Sequence, residues 1–148
     1  MDWIGIALFV TLSALLSMRT GLRAASAFTI AAPLTLLFYT MLPATAFVGS
    51  KVASLSPILQ AAVAGGLFLS LAFIFYLSIP RDVMGSAFPL QAVLSGLAPA
   101  IALMVVWLQI PALAALYTLS PLIHSIFGAP YAAFWLLGAL LALVLARR

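Results

Sequence analysis

Five long apolar segments, separated by short polar or proline-containing breaks, follow one another along the chain of 148 residues. They cover residues 3–18, 24–48, 57–79, 90–110 and 131–146. With flanking residues, each reaches about the 17–25 positions that a helix needs to cross a hydrocarbon core roughly 30 Å thick. The pattern predicts an all-α protein in which residues 1–148 form a single transmembrane domain, a polytopic transmembrane helical bundle with five spans.

Residues 111–130 interrupt this pattern. The segment is apolar, but Pro111, Pro121 and Pro130 divide it into pieces shorter than the ~17 residues of a minimal span. We therefore predict an extra interfacial or re-entrant segment at the outer surface of the membrane. A sixth span is the alternative.

The basic residues predict the orientation of the spans, because arginine and lysine beside a span stay preferentially in the cytoplasm. Five spans bring nearly all of them to the inner side: Arg19, Arg23, Arg81, Arg147 and Arg148. Only Lys51 then lies outside. The N-terminus is thus expected outside and the C-terminus inside (N-out, C-in). A sixth span would move Arg147 and Arg148 outside, so the charges favour five.

The composition agrees with a location in lipid. Hydrophobic residues make up 67% of the chain and charged residues 5%, whereas a soluble domain carries about 25% charged residues. The basic residues are too few and too scattered for a nucleic-acid surface. The chain has no cysteine, which excludes disulfides and thiolate metal sites. We expect a multi-pass protein of the bacterial inner (cytoplasmic) membrane, with the lipid bilayer as its surroundings and no nucleic-acid partner.

Small residues recur every four positions in several spans, which predicts faces where two helix backbones approach closely in lipid. The predicted packing residues are Ser13, Ser17, Gly21, Gly65, Gly66, Ala92, Gly96, Ala100, Gly138 and Ala142. This pattern favours association with other membrane subunits or with further copies of the chain, as a homo-oligomer.

Residues capable of chemistry are scarce. The chain has no glutamate, and its aspartates, Asp2 and Asp82, lie at or near span ends, which argues against a proton-coupled transporter. His124 is the sole histidine. It could bind a metal, haem or pigment, or be an ordinary hydrogen-bonded histidine in an outer loop. We favour the second interpretation, because nothing completes a ligand set, and we expect no cofactor, no metal site and no enzymatic activity.

Three glutamines, Gln60, Gln91 and Gln109, are the remaining polar candidates. They could line a path for a small neutral solute, or form the hydrogen bonds between helices that glutamine usually makes in membranes. The leading hypothesis is therefore a non-enzymatic accessory or assembly subunit, or an envelope-related one, acting through helix packing. The alternative is a pore or facilitator for a small neutral solute.

Two stretches resemble the colicin V production (CvpA) family of bacterial inner-membrane proteins. Residues 13–23 (SALLSMRTGLR) are similar to the first span and arginine-flanked turn of that family, and residues 85–97 (GSAFPLQAVLSGL) to its entry into the fourth span. The likeness covers roughly residues 1–110. Ala24 stands where the family has an acidic residue, Gln91-Ala92 where it has aspartate–arginine, and Pro99-Ala100 where it has arginine–glycine. The resemblance implies a role in export or envelope homeostasis.

Overall fold

The computed structural model describes residues 2–20, 22–45, 48–80 and 89–146, apart from the side chains of residues 16–18, 20 and 89. These residues form eight α-helices: α1 (Asp2–Thr20), α2 (Leu22–Met41), α3 (Val48–Ala53), α4 (Pro57–Ser78), α5 (Pro89–Gln109), α6 (Pro111–Leu116), α7 (Pro121–Phe127) and α8 (Ala132–Ala146). Short 3₁₀ turns cover Leu42–Ala44 and Ala129–Tyr131. No strand occurs in these residues, so the predicted all-α class is confirmed.

Four helical segments of the described chain are long and apolar enough to cross a membrane: Leu22–Ala44, Pro57–Ser78, Leu90–Gln109 and Pro121–Ala146. The apolar part of α1, Asp2–Leu15, is shorter. Pro121–Ala146 is 26 residues long, but it is not one straight helix, because Gly128 is extended, with ψ 176°, and separates α7 from α8. The last long helix therefore begins close to the predicted residue 131.

The second helix ends earlier than predicted. Hydropathy favoured a span over residues 24–48, whereas α2 ends at Met41 and gives way to a 3₁₀ turn over Leu42–Ala44. Pro43 lacks a backbone N–H and cannot continue an α-helix without losing a hydrogen bond. Pro33, by contrast, lies inside α2 without ending it, as proline can when surrounding groups compensate within a helical bundle.

The long helices alternate in direction. Asp2 at the start of α1 contacts Tyr117 and Ser120, and we call this side of the bundle the Asp2 end. Arg23 at the start of α2 contacts Leu77 at the end of α4, which defines the Arg23 end. Helix α5 runs back to the Asp2 end, and α8 packs antiparallel to it. Helix α1 thus begins at the Asp2 end, and α8 ends at the Arg23 end.

The core consists mainly of small residues and is centred on α2 and α5, the two helices that touch most of the others. The buried cluster includes Ala32, Ala64, Ala102, Val106 and Ala139. Large apolar side chains point outward instead, as with Phe134, which is 73% exposed, and Ile4, which is 69% exposed. This distribution fits a bundle in lipid, where small residues let the backbones approach and bulky ones face the hydrocarbon.

Candidate functional site

A large apolar cavity of the described chain lies between α1 and α4, above a floor formed by α2 and α5. It has a volume of about 580 Å³, and its walls include Ile6 and Phe9 of α1, Gly65 and Phe68 of α4, and Leu103 and Trp107 of α5. We call it the α1–α4 cleft. The helices α1 and α4 make little direct contact with each other, so the cleft separates them.

A second cavity, of about 330 Å³, continues the cleft toward the Arg23 end. The two cavities share Phe9, Phe68 and Leu103, and the second extends to Ser13 and Phe28. Phe28 stacks on Phe68 with ring centroids 5.7 Å apart. From Asp2 to Ser13 the combined cavity follows about 16 Å of α1, at 1.5 Å per helical residue.

A polar group closes the Asp2 end of the cleft. The Tyr117 hydroxyl donates to Asp2 Oδ1 over 2.7 Å, and the Ser120 backbone N–H donates to Asp2 Oδ2, also over 2.7 Å. Trp107 Nε1 donates to the Tyr117 carbonyl over 3.3 Å. The two bonds to Asp2 attach the start of α1 to the segment between α6 and α7, and the Trp107 bond attaches the end of α5 to the same segment.

The hydrogen bonds of the Asp2 carboxylate shift the pKa values of Asp2 and Tyr117, which lie outside the predicted spans. The hydroxyl of Tyr117 and then the backbone N–H of Ser120 stabilise the carboxylate and lower the pKa of Asp2 below its ordinary 3.8. The bond to the Asp2 carboxylate and its negative charge stabilise the neutral phenol and raise the pKa of Tyr117 above 10.0. The pair is therefore a carboxylate and a neutral tyrosine at neutral pH.

Apart from the Asp2–Tyr117 pair at one end, the polar side chains in the walls of the cleft donate to backbone carbonyls. The Thr35 hydroxyl donates to the Ala31 carbonyl over 2.8 Å, while Trp107 and Tyr117 make the bonds just described. No group of three or more potential ligands among histidine, aspartate and glutamate occurs in the described chain. His124 is exposed on α7. The arrangement can hold an apolar molecule.

The predicted packing face of residues 92, 96 and 100 lies inside the bundle. Ala92, Gly96 and Ala100 are buried, and a Cβ added at Gly96 would lie 2.6 Å from the Val10 carbonyl oxygen and 3.0 Å from the Ala14 Cβ. At Gly96, α5 therefore packs closely against the backbone of α1. The partner surface on α1 was not predicted, because Val10 and Ala14 lie outside the stripe of residues 13, 17 and 21.

The other predicted packing residues have varied surroundings. Ser13 lines the second cavity, and Gly65 lines the cleft. Ala142 packs beside the buried cluster of α2, α5 and α8. Gly66 and Gly138 are exposed, with nothing within 4 Å of an added Cβ. Gly21 and the side chain of Ser17 lie outside the described residues.

The three glutamines are not brought together. Gln60 donates to the Leu55 carbonyl over 3.0 Å, near the start of α4. Gln109 is the last residue of α5. Gln60 and Gln109 therefore both lie at the Asp2 end. Gln91 lies near the start of α5, at the opposite end, and has an interaction partner. About 27 Å of helix separates Gln91 from Gln109.

The arginines that the structure describes lie together at one end. Arg19 is exposed near the end of α1. The Arg23 guanidinium lies 4.2 Å above the ring centroid of Tyr76 and donates to the Leu77 carbonyl over 3.3 Å. Lys51, on α3, belongs to the Asp2 end. Arg81, Arg147 and Arg148 lie outside the described residues.

In the described residues, fold and cavity together define an all-helical bundle that has four segments long and apolar enough to cross a membrane and that contains an apolar cleft. Comparisons of the chain with protein-family models, with curated proteins and with solved structures found no match. The likeness to the colicin V production family therefore stays a hypothesis based on two sequence stretches.

Proposed function

We propose that this chain is a small non-enzymatic integral membrane protein of the bacterial inner membrane that acts as an accessory or assembly subunit. It associates through helix packing with partner subunits or with copies of itself. One observation carries the proposal. Ala62, Gly66 and Ser70 form a row of small residues on α4, one helical turn apart, and all three are exposed.

The row on α4 suits close contact with another helix. Nothing lies within 4 Å of a Cβ added at Gly66, so the backbone is accessible from outside the bundle. Phe73, which is 63% exposed, and Leu69, which is 61% exposed, flank the row. In lipid, helices associate by packing and by hydrogen bonds, and small residues let their backbones come close. We call this row the α4 face.

The proposal includes five spans with the N-terminus outside and the C-terminus inside, and residues 111–130 at the outer surface. The alternating helix directions support an odd number of crossings. The positions of Arg19 and Arg23 at one end, and of Lys51 at the other, support the orientation. The resemblance to the colicin V production family would add an envelope role to the same architecture.

The proposal is tested by purifying tagged full-length protein from membranes in mild detergent. Gly66→Leu should reduce the recovered oligomer or partner at least roughly fivefold, since holding a helix pair apart costs about 1–3 kcal/mol. Gly65→Leu is the matched control, because it changes the neighbouring glycine inside the cleft. Equal recovery with the two variants would contradict the assignment of the α4 face.

A solute pore has less support from the geometry. Gln60 and Gln109 lie at one end of the bundle and Gln91 at the other, so the three amides do not follow one continuous path. Solute flux in proteoliposomes tests this alternative directly. Flux that depends on all three glutamines would favour the pore over the accessory subunit.

A further inference from the structure

The α1–α4 cleft is a volume of about 580 Å³, within the range of ligand sites. A buried water needs two to four polar partners to be stable, and apolar cavities without them stay dry or take up apolar molecules. Thr35 and Trp107 already donate to backbone carbonyls. The walls of the cleft therefore favour hydrocarbon over water.

The shape of the cavity indicates which kind of apolar molecule would fit it. With its continuation past Phe9 and Phe68, it is elongated along α1 rather than round. The two helices that flank it make little contact with each other, so a flexible chain can enter sideways between them. An elongated apolar cavity between two helices in a bilayer suits a lipid acyl chain.

The negative charge at the Asp2 end indicates which lipid head groups the site would favour. An ionised carboxylate offers about four acceptor positions, and the bonds from Tyr117 and Ser120 occupy two of them. Asp2 itself is only half-buried, so further donors can reach it. A primary ammonium group provides both positive charge and N–H donors, whereas a quaternary ammonium group provides charge alone.

We propose that the α1–α4 cleft binds one acyl chain of a bilayer phospholipid that carries a primary amine in its head group. The acyl chain lies between α1 and α4, against Phe9 and Phe68. The ammonium group of the lipid donates to Asp2 at the Asp2 end of the bundle. This site is separate from the α4 face, which lies on the outer side of the same helix.

Filling the cleft tests the acyl-chain part of the proposal. A Cβ at Gly65 meets nothing within 4 Å, and Gly65 lines the cleft, so we expect the side chain of Gly65→Leu to occupy part of the cleft volume. Native mass spectrometry of the full chain, with palmitoyl-oleoyl phosphatidylethanolamine added in detergent, should show about one retained lipid per chain. Gly65→Leu should reduce retention at least roughly fivefold.

Two further variants keep this test decisive. Gly66→Leu, on the outer side of α4, should retain lipid like the unchanged protein. Gly5→Leu, which also fills open space in the cleft wall, should reproduce the loss if Gly65→Leu fails to fold. Equal retention by the folded Gly5 and Gly66 variants would overturn the proposal. Loss of association without loss of lipid in Gly66→Leu would separate this site from the proposed function.

The head-group part is tested by competition between palmitoyl-oleoyl phosphatidylethanolamine and its phosphatidylcholine counterpart. The unchanged protein should prefer the primary amine roughly three- to tenfold, as expected for a partly exposed charge-assisted hydrogen bond. Asp2→Asn should bind the two lipids about equally. An unchanged preference in that variant, or no preference in the unchanged protein, would refute the role of Asp2.

Discussion

The tight contact between Gly96 of α5 and helix α1 leads to a quantitative prediction. A Cβ at Gly96 would lie 2.6 Å from the Val10 carbonyl oxygen and 3.0 Å from both the backbone nitrogen and the Cβ of Ala14. Two of these three atoms belong to the backbone, so rotating a side chain cannot relieve the clash. Even alanine at position 96 requires α1 and α5 to move apart.

The magnitude follows from comparing two glycine-to-alanine changes. Overpacking costs about 1–3 kcal/mol, and replacing glycine within a helix recovers about 1 kcal/mol. A Cβ added at Gly138 meets nothing within 4 Å, so Gly138→Ala should show only the gain in stability from higher helix propensity. Because the gain in helix propensity cancels in the comparison, Gly96→Ala should be less stable than Gly138→Ala by about 1–3 kcal/mol.

Larger changes at the same contact should widen the difference. Gly96→Leu should lower the temperature of aggregation in mild detergent more than Leu103→Ala. Leu103 is half-buried in the wall of the cleft. Thermal aggregation and cross-linking between α1 and α5 measure the effect. Equal behaviour of Gly96→Leu and Leu103→Ala would show that this contact is not limiting.

Three other predictions concern orientation, the outer segment and pH. Reporter fusions placed after Arg148 and within residues 50–56 should report opposite sides of the membrane, and a C-terminal fusion active outside would contradict the N-out, C-in orientation. Single cysteines at Tyr117 and His124 should both react with impermeant reagents from outside, while labelling only from the cytoplasm would favour a sixth span. The bond between Asp2 and Tyr117 should add stability that is fully present above pH 3.8 and below pH 10.0. It should be lost as the pH falls through the lowered pKa of Asp2 or rises through the raised pKa of Tyr117. In thermal melts, Asp2→Asn should remove the loss of stability at acid pH. An unchanged dependence of stability on pH would contradict the stabilising role of the Asp2–Tyr117 bond.

The positions of the long helices could be predicted from hydropathy, because lipid demands uninterrupted apolar length. Residues 57–79 and 90–110 were predicted, and the helices Pro57–Ser78 and Pro89–Gln109 are observed. The span predicted over residues 24–48 continued past Pro43, because hydropathy does not register a missing backbone N–H. Local backbone chemistry, rather than apolarity, set that boundary.

The faces that meet inside the bundle were harder to predict. A helix that is apolar on all sides has no polar face to show which side points outward. The stripe containing Ser13 was therefore favoured on α1, whereas Val10 and Ala14 make the close contact with Gly96. Residue spacing identified Gly96 itself, since it is small and is flanked by Ala92 and Ala100.

The candidate site could not be predicted at all. Asp2 and Tyr117 are 115 residues apart in sequence, and neither belongs to a motif. Their contact depends on α1 and α5 running in opposite directions, which places the start of one helix beside the end of the other. The cleft likewise forms because α1 and α4 make little contact with each other, and no local sequence pattern predicts such a gap between helices.

The most direct test of the proposed association uses the native membrane. Because the chain has no cysteine, a single cysteine at Ala62 or Gly66 can carry a benzophenone photo-cross-linker as the only thiol-attached probe. Leu8, which is 62% exposed on α1, provides the control position. We expect a discrete cross-linked product from the α4 face, either a dimer or a complex with one partner, and at most a trace from Leu8. Cross-linking to lipid alone from Ala62 and Gly66, or equal products from all three positions, would contradict it.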